Sequence, residues 1–198
     1  MFQVKSVMTR LGLAVALFMA PATAVAQDVL VLDSARVLQE SKAGQDMYAK
    51  IQQIGATMQS ELEPEQQALQ TEKQALDTKV RGKTREQIEA EPALVQQLEA
   101  YGRKLQTNAA KAEARSRELS QTENNALNAF REKVAEAAEK VRARKNGQIV
   151  LSKQVVFLSG DSVDITTEVI TQLDQDTPTI AVTRVPPQAL PQQSAPQQ

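Results

Sequence analysis

The stretch MYAKIQQIGATMQSELEPEQQALQTEKQALDTKV, residues 47–80, decides the fold because its apolar residues recur on one face of a helix. They advance by threes, fours and sevens, while charged residues and Gln fill most other positions. Such a narrow stripe is typical of a helix that packs against one partner helix. We therefore predict a helix from Ala35 to about Val80, capped by Asp33 or Ser34. The stripe consists of Met47, Ile51, Ile54, Met58, Leu62, Leu69, Leu76 and Val80.

A second apolar stripe predicts the partner helix. Its end near residue 141 is marked by the basic residues Arg142, Arg144 and Lys145, which suit the negative end of a helix dipole. Asn146-Gly147 then favours a helix stop. The stripe consists of Leu98, Tyr101, Leu105, Ala109, Ala112, Leu119, Ala126, Phe130, Val134, Ala137 and Val141.

Residues 81–92 interrupt the pattern and carry the chemistry of a turn. Gly82 can adopt the left-handed conformation that ends a helix, and Thr84 to Gln87 fits a capping box. Pro92 suits the first position of the next helix. Two helices joined by so short a connection lie antiparallel. We therefore predict a hairpin arm over residues 35–146 with its tip near 81–92, each helix extending on the order of 60–80 Å.

Two features of the arm are candidate functional elements. Pro64 lies within the first stripe, where it predicts either a hinge or the first residue of a separate helix. Four cations cluster near the tip, which indicates either a contact with acidic partners or lipid headgroups, or a solvated loop. The solvated loop is the simpler interpretation. The four cations are Lys79, Arg81, Lys83 and Arg85.

Both ends of the predicted arm adjoin strand-like segments, so the fold class is α+β. Residues 27–34 and 147–174 form the predicted β-rich body, in which Asp164 caps a final helix from Ile165 to Leu173. Its three short strands are predicted at residues 28–33, 149–151 and 155–158, and two of them are apolar on both faces. One chain cannot cover them, which predicts an oligomer. The alternative is that the arm folds back over the sheet. The predicted oligomerisation residues are Val29, Leu30, Val31, Leu32, Ile149, Val150, Leu151, Val155, Val156 and Phe157.

The two ends of the chain differ in composition from the rest. Residues 1–26 have a basic start, a short apolar run and the small residues of Ala24-Val25-Ala26, which predicts a cleavable signal peptide and export to the periplasm. Residues 175–198 are rich in Pro and Gln and predict a disordered tail. Within that tail, residues 180–182 are the only stretch that could order.

Composition excludes several functions. The chain has no Cys and no His, so it lacks thiol chemistry, the commonest general base and the commonest metal ligand. Removing the predicted signal, with its two basic residues, changes the net charge from −1 to −3, which gives no indication of nucleic-acid binding. No Gly-rich phosphate-binding loop is present. We expect neither an enzyme nor a cofactor.

Two segments of this sequence resemble the Skp/OmpH family of periplasmic chaperones. VLVLDSARVLQES, residues 29–41, followed by Ala43-Gly44, is similar to the family's first strand and helix start. Residues 149–158, with Asp164-Ile165-Thr166 after them, are similar to its closing strands and last helix. The resemblance covers residues 28–174 and implies a trimer in which three arms surround a cavity below a small barrel.

The resemblance also implies a function. Such proteins hold unfolded outer-membrane proteins in soluble form during their passage through the periplasm, without ATP. Family members are often basic, so the slightly acidic mature chain predicts at most a weak contact with a membrane surface. The alternative is a coiled-coil scaffold of the cell envelope, which requires a continuous apolar seam. Gln66, Lys73 and Glu123 interrupt the seam here.

Overall fold

A computed structural model describes residues 29–186 of the chain. The predicted signal peptide and residues 187–198 of the predicted tail lie outside these residues. The elements are β1 (Val29–Leu32), α1 (Ser34–Glu40), α2 (Lys42–Val80), α3 (Arg85–Glu89), α4 (Pro92–Arg144), β2 (Ile149–Ser152) and α5 (Thr166–Asp176). Two 3₁₀ turns, Lys153–Val155 and Asp161–Val163, lie between β2 and α5.

Helices α2 and α4 confirm the predicted hairpin. They have 39 and 53 residues, which corresponds to lengths of about 60 Å and about 80 Å. At the turn, Gly82 has a φ of 77° and the side chains of Thr84 and Gln87 form the predicted capping box. Pro92 opens α4, as its fixed φ and missing N–H predict. The capping box begins the five-residue helix α3 inside the turn.

The helical segment before residue 80 is broken, whereas the sequence predicts one helix from Ala35. Ser41 is fully buried, has an extended backbone, and its hydroxyl accepts a hydrogen bond from the Gly44 N–H at 3.1 Å. A Cβ on Gly44 would lie 2.0 Å from the carbonyl oxygen of Leu38. The break therefore depends on a glycine that lets the backbone of α2 approach α1 closely.

The β body is smaller than predicted. β1 and β2 pair in parallel, with Val29 opposite Ile149 and Leu32 opposite Ser152. The predicted strand at Val155, Val156 and Phe157 is wrong for the single chain. The hydroxyl of Ser152 accepts from the Gln154 N–H at 3.4 Å, and a 3₁₀ turn then takes the backbone away from β1.

The apolar core lies at the root of the hairpin, where the body meets the ends of α2 and α4. Small residues on α4 let the neighbouring elements approach it closely. The core gathers Leu30, Leu32, Val37, Ala43, Met47, Ile51, Ala126, Phe130, Val134, Ala137, Ala138, Val141, Ile165, Val169, Leu173 and Ile180. The core therefore joins the body to the base of the arm and does not extend along it.

Residues 177–186 correct the prediction of a tail that is disordered from residue 175. Residues 175 and 176 belong to α5, and the chain beyond them runs along the hairpin. Ile180 is 3% exposed and belongs to the core, and the amide of Val185 donates to the Thr122 hydroxyl at 3.0 Å. Composition alone gave the wrong prediction here, because a few apolar and charged residues among the prolines are enough to dock an extended segment on the hairpin.

Asp164 joins the body to α5. One of its carboxylate oxygens accepts from the Thr166 N–H at 2.9 Å, and the other from the Lys153 ammonium at 2.9 Å. Partial burial opposes the charge, but the hydrogen bonds from Thr166 and the pairing with Lys153 outweigh it, and the pKa of Asp164 falls to about 2. Thr166, fully buried, also accepts from the Asp33 N–H at 3.0 Å.

Substitution of Gly44 by Ala should destabilise the fold. Its methyl group would collide with the Leu38 carbonyl, so we expect a loss of at least about 2 kcal/mol in unfolding free energy. Gly102 is the matched control, because it lies inside α4 where an added Cβ would have no atom within 4 Å. Gly102→Ala should stabilise the chain by about 0.5–1 kcal/mol. Urea unfolding measures the unfolding free energy of both variants. Equal changes in the two variants would contradict the close approach of Gly44 to the Leu38 carbonyl.

Acidification should destabilise the chain through Asp164. Its pKa in the folded chain is about 2, below the ordinary value of 3.8, so its contribution is present above about pH 4 and is lost towards pH 2. Asp164→Asn should lower the unfolding free energy at pH 7 by about 1–2 kcal/mol and flatten this part of the pH dependence. Asp161→Asn, an exposed neighbour, is the control and should change it by less than about 0.5 kcal/mol. Parallel acid-unfolding curves of wild type and Asp164→Asn would contradict the assignment.

Candidate functional site

The first candidate surface is an apolar edge of the body. Val155, Phe157 and Leu158 are 77%, 96% and 83% exposed, which is unusual for large apolar side chains grouped in one short segment. The exposed faces of Val29 and Ile149 lie on the two strands. We call the surface formed by Val29, Ile149, Leu151, Val155, Phe157 and Leu158 the apolar edge.

The structure divides the predicted oligomerisation residues into two groups. Leu30, Val31 and Leu32 are buried within the single chain, and Val150 packs against its core. Val156 is half-buried, and the other five belong to the apolar edge. The apolar surface that the single chain leaves exposed therefore lies on the outer side of both strands and on the segment after β2.

An apolar depression of about 440 Å³ adjoins this surface. It lies between α1 and residues 127–135 of α4, and Gln154 of the segment after β2 contributes to its wall. Its apolar lining includes Leu32, Leu38, Leu127, Phe130 and Val134. Apolar surface near the root is thus open to a partner on both the sheet and the helices.

The second candidate surface is the outer part of the arm, which has only a narrow seam. Met58, Leu62, Leu69 and Leu76 of α2 are buried there, and none belongs to the root core. On α4 the corresponding buried residues are Leu94, Ala114, Glu118 and Thr122. The predicted seam positions Leu105 and Ala109 are instead exposed.

Polar contacts supplement this seam. Lys104 pairs with Glu72 and Lys111 with Glu65, each at 2.8 Å across the two helices. Glu118 is only 3% exposed, and its carboxylate accepts from Arg115 at 2.7 Å. Exposed ion pairs contribute at most about 1 kcal/mol each. The outer arm is therefore held together weakly along most of its length.

Two of the four tip cations are paired with carboxylates. Lys79 donates to Gln97 at 2.7 Å, Lys83 pairs with Glu91 at 2.5 Å, and Arg85 pairs with Glu89 at 2.7 Å. Among residues 29–186, no ion pair or hydrogen bond of the Arg81 side chain is present. The solvated loop remains the simpler interpretation, and a contact with lipid or an acidic partner stays a prediction that rests mainly on Lys79 and Arg81, which have no carboxylate partner among residues 29–186.

Pro64 lies inside α2, which continues on both sides of it. The alternative that Pro64 begins a separate helix is therefore wrong. The hinge remains a prediction. Its physical basis is that Pro64 has no N–H and cannot donate a backbone hydrogen bond to the preceding turn of α2. It stands close to Glu61, which is paired with Arg115 of α4 at 3.1 Å.

No other chemistry is apparent in residues 29–186. In that range no group of three acidic residues is placed to hold a metal ion. No helix in it combines the length and apolar character needed to cross a membrane.

The fold is that of a long antiparallel helical hairpin on a small β body, with open apolar surfaces on the body and along the arm. Residues 28–173 match the family of outer membrane proteins described as OmpH-like, and the chain belongs to that family. A crystal structure from Caulobacter crescentus CB15, described as an OmpH-like outer membrane chaperone, is similar, with a TM-score of 0.69. It is 26% identical, and the similarity covers 80% of this chain and 90% of the other. A search of curated proteins finds no match.

Family membership and structural likeness support a chaperone role in general for this chain. The predicted resemblance is thereby confirmed. The family match ends at residue 173, before the segment that runs back along the hairpin.

Replacement of Pro64 by Ala should stabilise the chain. Alanine restores a backbone hydrogen bond in α2 and removes a steric clash, so the unfolding free energy should rise by about 1–3 kcal/mol. Ala68→Ser, at an exposed position one helical turn later, serves as a control for a small change on α2. Thermal unfolding measures both, and an unchanged Pro64→Ala variant would show that α2 already tolerates the proline without strain.

Proposed function

We propose that the protein is a periplasmic holdase that binds unfolded outer-membrane proteins and prevents their aggregation without ATP. We further propose that it works as a homo-oligomer, a trimer by its family resemblance. The observation that carries the proposal is the weakly held outer arm, whose apolar residues are scattered along a thin seam.

A holdase needs weak contacts at many points. An unfolded barrel precursor exposes alternating apolar residues and unpaired strands, and so it aggregates. Tight binding would prevent its later release into the membrane. Apolar side chains left open along the arm, such as Leu105, which is 44% exposed, and the half-buried Leu98 and Tyr101, offer contacts of low individual strength between ion-paired stretches. Several arms in one assembly would add avidity without tighter single contacts.

Assembly is supported by the apolar edge. Phe157 is 96% exposed and Leu158 is 83% exposed in the single chain, although burying such side chains contributes about 1.5–3 kcal/mol each. A two-stranded sheet is marginally stable alone, and within residues 29–186 only the bridge between Val31 and Asp164 extends it beyond β1. Copies of the chain that bury each other's apolar edge would satisfy both requirements.

Release is proposed to be passive. The sequence has no Gly-rich phosphate-binding loop to couple nucleotide hydrolysis to release. The client would leave because its folded state in the membrane is more stable than its held state. Arms that can separate from one another would enclose clients of different size.

Holdase activity can be measured by diluting a urea-unfolded outer-membrane barrel protein into buffer with and without the chain. We expect the chain to suppress light scattering at a stoichiometric ratio, with no effect of added ATP. A scaffold that spaces two fixed partners would leave the scattering unchanged, and that result would contradict the proposal.

Oligomerisation is tested by Phe157→Asp, which places a charge on the apolar edge. Sedimentation should show an oligomer for the wild type at micromolar concentration and a shift to monomer for the variant. Leu105→Asp is the matched control, because Leu105 is also exposed but lies on the outer arm. A wild-type monomer, or equal masses for the wild type and both variants, would exclude assembly through this surface.

A further inference from the structure

Residues 177–186, TPTIAVTRVP, form a segment that we call the strap. The strap follows α5 and lies outside residues 28–173, which match the family. Its residues alternate between the hairpin and solvent: Ile180 is buried, Val182 and Arg184 are half-buried, and Ala181 and Thr183 are exposed. This period of two is that of an extended strand with one side against a surface.

Side chains of the hairpin hold the backbone of the strap. The Asp46 carboxylate accepts from the Ile180 N–H at 3.0 Å, and the Lys50 ammonium donates to the Ile180 carbonyl at 2.9 Å. Further along, the Thr122 hydroxyl accepts from the Val185 N–H at 3.0 Å. Any residue except proline offers the same backbone groups. These three contacts therefore recognise an extended backbone rather than particular side chains.

The groove that receives the strap runs between the two long helices. Asp46 and Lys50 belong to α2, whereas Thr122 belongs to α4. The side chain of Ile180 enters the root core at one end of the groove. The groove thus combines backbone hydrogen bonds with an apolar site, as grooves that bind extended peptides do.

The other end of the strap is held by charge. The guanidinium of Arg184 pairs with Glu61 of α2 at 2.6 Å and lies 3.7 Å from Glu118 of α4. Its Nε is buried without a hydrogen-bond partner. A buried donor without a partner is unfavourable. Arg184 therefore has two carboxylates near its charge but lacks a hydrogen-bond partner for one of its donors.

We propose that the groove between α2 and α4 is a binding site for extended, alternately apolar polypeptide segments, and that the strap occupies it as a built-in competitor. The assignment of the ligand class rests on the proposed holdase function. Membrane-spanning β-strands also carry apolar side chains at alternate positions on one face, as the strap does with Ile180 and Val182 on the side that faces the hairpin.

Competition by the strap sets a threshold for binding. A tethered segment has a local concentration of about millimolar, so a single extended segment in solution displaces it poorly. An unfolded barrel has many such segments on one chain, and any of them can bind when the strap leaves the groove. If the strap is docked in about nine molecules of ten, its release raises the apparent affinity about tenfold.

The groove can be tested with a fluorescent peptide that has the sequence of residues 177–186. The full-length variant Ile180→Ser/Arg184→Ala keeps the groove but removes both strap anchors. Fluorescence anisotropy should show about tenfold tighter peptide binding by this variant than by the wild type. Thr183→Ala, on the exposed side of the strap, is the matched control and should bind as the wild type does.

Two further variants secure the result. Arg184→Ala alone keeps Ile180 in the core, so it folds if the double variant does not, and it should show a smaller increase in affinity. Adding Lys50→Met to the released variant removes a backbone contact and should weaken peptide binding several-fold. Equal peptide binding by the wild type and the released variants, or no binding by either, would contradict the proposal that the groove is a binding site occupied by the strap.

The ligand class is tested separately from holdase activity. Unlabelled peptides with the sequence of a membrane-spanning β-strand should displace the labelled peptide, whereas scrambled peptides without alternation should not. Failure of both to compete would overturn the ligand class. Tight peptide binding together with no suppression of aggregation would support the groove and contradict the proposed function instead.

Discussion

The structure depends on a core that is confined to one end of a long hairpin. α1, β1 and α5 pack there against the base of α2 and α4, and the buried Ser41 and Gly44 set the angle of that junction. Beyond it, the two helices of 39 and 53 residues have no third element packed along most of their length within residues 29–186. A pair of helices alone can bury only one narrow face of each. The outer arm is therefore stabilised far less than its root.

This division connects the fold to the proposed function. The root gives the chain a defined body, and the apolar edge on that body offers a surface for further copies. The outer arm leaves apolar residues such as Leu98, Tyr101 and Leu105 wholly or partly open between ion-paired stretches. Where the root meets the arm, the strap crosses both helices and contacts Asp46, Glu61 and Thr122. The groove beneath the strap thus links the stable and the weakly held parts of the molecule.

The hairpin could be predicted from the sequence because its signals are local. Helical spacing of apolar residues, the left-handed Gly82, the Thr84 capping box and Pro92 all act within a few residues of the chain. The features that were missed depend on contacts between distant residues. Gly44 matters because of Leu38 in the preceding helix, and residues 155–157 are not a strand because one chain supplies no neighbour for them. Glu118 and Thr122 are polar, yet they are buried because the strap and Arg115 cover and pair them.

Hydrogen exchange along the arm tests the central claim most directly, because it measures local stability residue by residue. If the core is confined to the root, amides near Met47 and Val134 should exchange slowly, near the rate of global unfolding. Amides near Leu69 and Leu105 should exchange faster by at least about two orders of magnitude, and a bound unfolded barrel should slow them. Uniformly slow exchange from root to tip would show a rigid coiled coil and would contradict the account.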